Sequence, residues 1–248
     1  MNEMNRKRFL KLLAAGGASV LGLPALPALA REVRGPASPW ARVMFPARGG
    51  DTDDWNVHPN GDLNLIDTIR DDAGVNVVKH WNVADIGRLE TMTPFPFLFM
   101  HAELAPELDA ARWANMGEYL RRGGFLFAED CVYGKHRNAG GGDEFFRHMA
   151  EVDFARMLPE SKLEKLPLDH PVFHCFYHLN NGLPHMQGIP HGLHALTLNG
   201  KIVALLSPSD LHCAWTEGDV WFGRAKRIAA EQMGTNIYLY AMIGDRMV

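Results

Sequence analysis

The chain has 248 residues, 47% of them hydrophobic and 22% charged, with a formal net charge of −4. That is enough apolar sequence for one large core or a core with a small lobe. It is too well mixed to be disordered and too acidic for nucleic acid to be the main partner. Its three cysteines, Cys131, Cys175 and Cys213, include no Cys-x-x-Cys pair, which argues against a disulfide framework and against a cysteine-rich zinc site.

Residues 1–30 read as a leader. Arg6, Lys7, Arg8 and Lys11 precede the apolar run "LLAAGGASVLGL", and Ala28-Leu29-Ala30 closes the segment. Basic, apolar, then small-x-small is the layout of a secretory signal peptide. "NRKRFLK" also resembles the twin-arginine export motif, with Arg6-Lys7 where that motif has two arginines. Export to the periplasm or beyond follows, and the only expected membrane contact is through this segment if it stays uncleaved. Without it the chain keeps 21 basic and 28 acidic residues, a net of −7.

Residues 31–40 read as a linker, and 41–248 as a single domain. "ARVMFPA" (41–47) is a short apolar strand. "GDLNLIDTIRDDAG" puts Leu65, Ile66, Ile69 and Ala73 on one helical face and stops at Gly74. "VNVVKH" (75–80) is a second strand, and "PFPFLFMHA" (94–102) a third, apolar on both faces as a buried parallel strand should be. "APELDAARWANMGEYLRRGG" is a helix with Arg121 and Arg122 in its last turn and Gly123 as its stop. "GFLFAED" (124–130) is a fourth strand, followed by the glycine-rich loop 134–142 and a helix over 143–150. Asn199-Gly200 turns a hairpin, and a helix runs over about 222–244, with Gly234 as its weak point. Strand–helix alternation predicts an α/β fold: a mostly parallel sheet covered on both faces, with an antiparallel hairpin at one edge.

Ligands bind such sheets beyond the carboxyl ends of the strands. There the sequence places Arg48, Asp51, Asp54 and Trp55 after strand one, His101 at the end of strand three, and Glu129-Asp130-Cys131 after strand four. Asp210, His212 and Trp215 follow the hairpin. Carboxylates and a histidine on one rim suit acid–base work or a divalent ion, and equally suit capping and turns. Asp130 closes a buried strand and needs a partner, for which His101 on the neighbouring strand is the expectation. Cys131 follows a central strand as an elbow nucleophile would. Its neighbours, however, are not small, and Glu129 and Asp130 push a thiol pKa the wrong way.

The segments "GGDTDDW", "FPFLFMHAE", "LRRGGFLFAED", "LDHPVFHCFY", "LLSPSDLHCAW" and "MGTNIYLYAM" occur in that order. Together, over about 41–244, they resemble an uncharacterised bacterial domain family of the class I glutamine amidotransferase-like fold, near the trehalose-utilisation-type proteins. The resemblance implies a flavodoxin-like three-layer sandwich and no established activity. Its pattern falls on Gly50, Asp51, Trp55, His101, Gly123, Gly124, Asp130, Asp169, His170, Pro171, Asp210 and Trp215. The amidotransferase nucleophile motif is absent.

Six of twelve histidines lie between His170 and His194. His170, His174 and His178 are four apart, but Pro171 disfavours a helix at His170. The glycines and prolines of 182–192 make the remainder a loop. A multi-histidine metal centre is therefore not the expectation, and Asp169-His170-Pro171 is a turn that delivers His170 to the rim. The resulting picture is an exported module that binds a small polar ligand, of carbohydrate or cell-envelope type, through Asp51, Trp55, His101, Asp210 and Trp215. The alternative is a hydrolase, metal-assisted or not, with Asp130 or His170 as base. The cofactor stays open, a metal ion being the candidate.

Overall fold

The computed structural model describes residues 34–133, 135–136 and 141–243. The leader 1–30 and most of the loop 134–142 lie outside the described residues. The described chain is an α/β sandwich around one seven-stranded sheet, in the order β2-β1-β3-β4-β7-β6-β5. The strands are β1 (Arg34–Met44), β2 (Val75–Asp85), β3 (Phe97–Ala102), β4 (Phe125–Asp130), β5 (Lys162–Lys165), β6 (His194–Leu198) and β7 (Lys201–Ser207). From β2 to β7 the sheet is parallel, and β7-β6-β5 form an antiparallel edge. Seven helices surround it: α1 (Asn60–Ala73), α2 (Leu89–Met92), α3 (Ala110–Arg121), α4 (Glu144–His148), α5 (Phe154–Met157), α6 (Leu211–Trp221) and α7 (Arg224–Ile243). A π turn, Met149–Asp153, joins α4 to α5.

Local chemistry explains most of these boundaries. Gly74, at φ 68°, ends α1 by returning its N–H to the Arg70 carbonyl, a left-handed cap that glycine accepts without strain. The Asp109 carboxylate caps α3 by accepting from the Arg112 N–H. Asn199 and Gly200, both at positive φ, make the two-residue turn between β6 and β7. One expectation shifts. Residues 34–40, read as a linker, are the first half of β1, where Trp40 is buried between sheet and helices. The C-terminal helix runs over Arg224–Ile243, close to its expected bounds, and a further helix that the sequence reading did not anticipate, Leu211–Trp221, precedes it across the turn at Gly223.

The strands' pleat divides the core in two. One layer holds Ala41, Val43, Leu98, Met100, Leu126 and Ala128 against Trp113 and Met116 of α3 and Phe145 of α4. The other holds Trp40, Phe97, Phe99, Phe125 and Phe127 against α1, α6 and α7. Gly234, mid-helix in α7, has a packing role: a Cβ there would stand 2.7 Å from Trp215 and 2.8 Å from Leu65. The missing side chain is what lets α7 close on α6 and α1.

Candidate functional site

Arg42 and Asp62 are both buried on the α1/α6 side of the sheet. Arg42 gives its Nε and Nη2 protons to Asp62 Oδ2. Its Nη1 reaches the Val57 carbonyl at 2.8 Å, and Nη2 donates to His212 Nε2 at 2.6 Å. Trp40 Nε1 donates to the other Asp62 oxygen at 2.6 Å. An arginine only donates, so His212 Nε2 accepts and its ring proton sits on Nδ1. Burial and the Arg42 charge hold His212 at a pKa of about 4. Asp62, although wholly buried, is held at about 2 by the Arg42 guanidinium against the desolvation that would raise it.

A second buried cluster adjoins the first, with the His101 and His212 rings 4.4 Å apart. His101 Nδ1 donates to the Glu129 carbonyl at 3.3 Å, and Nε2 has no partner among the described residues. Burial, then the neighbouring His212 and Arg42, push its pKa well down. The Glu129 carboxylate accepts from Ser207 Oγ and from the N–H groups of Leu211 and His212, each at 2.9 Å, and so seals the start of α6. Asp210 stands at φ 56°, ψ 43° in the turn from β7 into α6. Its Oδ2 accepts from the Val132 N–H and from Gln187, while Oδ1 has no hydrogen bond. One ligating atom each from His101, Cys131 and Asp210 lies within 4.8 Å of the other two, and all three residues are buried. These three could hold a metal ion.

The rim above β1 and β3 is differently built. Asp51 accepts from the Asp53 and Asp54 N–H groups and meets Lys135 at 2.6 Å and His136 at 2.9 Å. The Lys135 ammonium leads in holding its pKa at about 2. Asp54 is buried and accepts from the Glu103 and Leu104 N–H groups. Beside this rim, on the α3/α4 side of the sheet, lies a cleft of about 490 Å³. Arg48, Arg147 and Arg156 face Glu107, Glu144 and Glu151 across it. Its basic groups already have acidic neighbours: Arg48 pairs with Glu144 at 2.7 Å, Arg147 with Asp143 at 3.0 Å, and His148 with Asp153 at 2.5 Å.

The residues singled out in the sequence scatter over these places. His101 and Asp210 come together, and Asp51 sits on the rim. Trp55 is buried, with its Nε1 on the Thr52 carbonyl and its own carbonyl on Arg42. Asp130 does not meet His101. In register His101 stands opposite Glu129 and Asp130 opposite Ala102, so alternation points Asp130 to the other face. There one oxygen accepts from the Phe146 N–H at 2.6 Å, and burial pushes the carboxyl well up. Trp215 packs among Phe99, Phe127 and His212 with its Nε1 on the Ala230 carbonyl, inside the core. His170 is not delivered to the rim. It caps the 3-10 turn Pro171–Phe173 and packs on Tyr240, which lines a small cleft with Gly124, Phe125 and Lys201 at the starts of β4 and β7. His191, from the same loop, reaches Asp143 at 2.9 Å and stacks on Phe146.

Sequence reasoning noted Arg48, Glu129 and His212 as strand-end residues without a role, and missed Arg42 and Asp62. An arginine flanked by Ala41 and Val43 in an apolar strand was the available signal, because such a charge demands a buried partner. Residues 42–242 match the protein family described as a domain of unknown function (DUF4159). No curated protein matches the chain.

Proposed function

The chain belongs to the DUF4159 family, whose function is unknown, and we propose that it is an exported, non-catalytic module that binds a small, neutral, hydroxyl-rich ligand of carbohydrate type. The observation that carries this reading is the cleft of about 490 Å³ beside the carboxyl ends of β1 and β3, lined by three arginines and three glutamates. A hydroxyl group both donates and accepts, so it can use a guanidinium and its paired carboxylate together. An anion would have to break those pairs first. The class I glutamine amidotransferase-like grouping and the export leader of residues 1–30 are part of the same reading, supported by the sheet order and by the basic–apolar–small pattern respectively. A hydrolase is the weaker reading, since Asp130 and His170 stand far apart in the fold, each engaged in capping.

The test is thermal melting of the leader-free protein against neutral oligosaccharides and peptidoglycan fragments. At a hundredfold excess over Kd a ligand adds about 2.7 kcal/mol to stability. Arg156→Ala, an exposed lining residue, should abolish the shift and leave the unliganded melting temperature nearly unchanged. No shift from any ligand, or a shift indifferent to Arg156→Ala, sinks the proposal. Export is tested separately, by fractionation of the source cells and N-terminal sequencing of the mature chain.

A further inference from the structure

We propose that His101, Cys131 and Asp210 bind a zinc-class divalent cation. The site lies on the opposite face of the sheet from the cleft and does not depend on it.

Several independent features converge. The three ligating atoms lie within 4.8 Å of one another, and all three side chains are sealed from solvent. Zn–N and Zn–S bonds of about 2.0 and 2.3 Å put tetrahedral ligands roughly 3.5 Å apart. The cluster therefore needs to close by little more than an ångström at its widest.

Two of the buried polar atoms without hydrogen-bond partners, His101 Nε2 and Asp210 Oδ1, are ones coordination requires. His101 spends its Nδ1 proton on the Glu129 carbonyl, which leaves the Nε2 lone pair available. A histidine that ligates a metal is usually oriented in this way by its other ring nitrogen. Asp210 Oδ1 also lacks a hydrogen bond while Oδ2 is held by Val132 and Gln187. A buried carboxylate oxygen left bare is costly, and a cation would satisfy it.

One imidazole nitrogen, one sulfur and one carboxylate oxygen are the donor set of a borderline cation such as zinc, not of magnesium or calcium. The surroundings lack positive charge for these acids, because Arg42, the nearest buried cation described, is committed to Asp62. On binding, the Cys131 thiol releases its proton to solvent and the ion takes its place. The ligands come from β3, the end of β4 and the turn into α6, so the ion would hold these three together.

The experiment is metal analysis of the protein after incubation with zinc and desalting, followed by cobalt(II) replacement. The expected result is about one ion per chain, with a cobalt–thiolate charge-transfer band and tetrahedral visible bands. Cys131→Ser should remove both bands, and Cys175→Ser, on the remote 3-10 turn segment, should leave them intact. Should Cys131→Ser fail to fold, the spectrum of the wild-type protein decides: cobalt bound without a thiolate band overturns the proposal. So does failure to retain zinc, or a Cys131–Cys213 disulfide found by mass spectrometry of the native protein.

Discussion

The Arg42–Asp62–His212 network and the His101–Cys131–Asp210 cluster lie side by side on one face of the sheet, and both are closed to water. They differ in their charge balance. In the first, a guanidinium meets a carboxylate, both carboxylate oxygens are engaged, and three carbonyls take further protons. In the second, acids and thiols gather without a cation, and ligand-competent atoms of His101 and Asp210 make no hydrogen bond. A matched buried pair holds a fold together, whereas buried polar atoms without partners are costly and are where the proposed cation would act.

The comparison can be broken most severely at Asp62. Asp62→Ala leaves Arg42 charged and buried without its partner, and should cost about 3–5 kcal/mol in chemical denaturation. A loss below about 1 kcal/mol would mean that the pair is not structural. The pH dependence of the same pair comes next. Asp62 has a folded pKa of about 2 against an ordinary value of 3.8, so its contribution is fully present above 3.8. It fades as pH falls through 2, amounting to about 2 kcal/mol over that window. Acid titration of wild-type and Asp62→Asn proteins should diverge there and run parallel above it.

Two glycines sharpen the picture at a smaller scale. A Cβ at Gly61 would stand 2.5 Å from His212 Nε2, and one at Gly234 would press on Trp215 and Leu65. Either change to alanine should destabilise by about 1–3 kcal/mol, although alanine ordinarily gains about 1 kcal/mol over glycine inside a helix. Stabilisation in thermal melts would show that these helices are not packed as closely as described. The smallest effect is expected at His170. His170→Ala loses a cap on the Val172 N–H and should cost about 0.5–1 kcal/mol, with ligand and metal binding untouched. A change in either binding readout would place His170 in the site after all.

Much of the fold was legible because local rules agree with the tertiary outcome. The stops at Gly74 and Gly123, the Asn199-Gly200 turn and the two-faced apolar strands each carry their reason within a few residues. β1 was read too short because Gly35, Pro36 and Pro39 look like linker chemistry. The hydrogen bonds and burial that make 34–40 a strand come from β2 and from Tyr238, whose hydroxyl meets Ser38 across 200 residues of sequence. The site was legible only in part. His101 and Asp210 could be nominated from their positions at strand ends, but Trp215 and Asp130 occupy equivalent positions and face the core or the other layer.

By itself, the sequence determined the class of architecture, the identity of the buried strands and the polar character of the strand ends, since hydrophobic periodicity and turn chemistry act over short spans. Only the tertiary structure decided which polar residues meet. Strand register put Glu129, not Asp130, opposite His101. The turn at Asp210 brought the start of α6 onto Glu129 at the end of β4, and the second layer of helices buried Arg42 against Asp62. Such pairings depend on one-residue alternation and on contacts between segments distant in sequence, which no local pattern encodes.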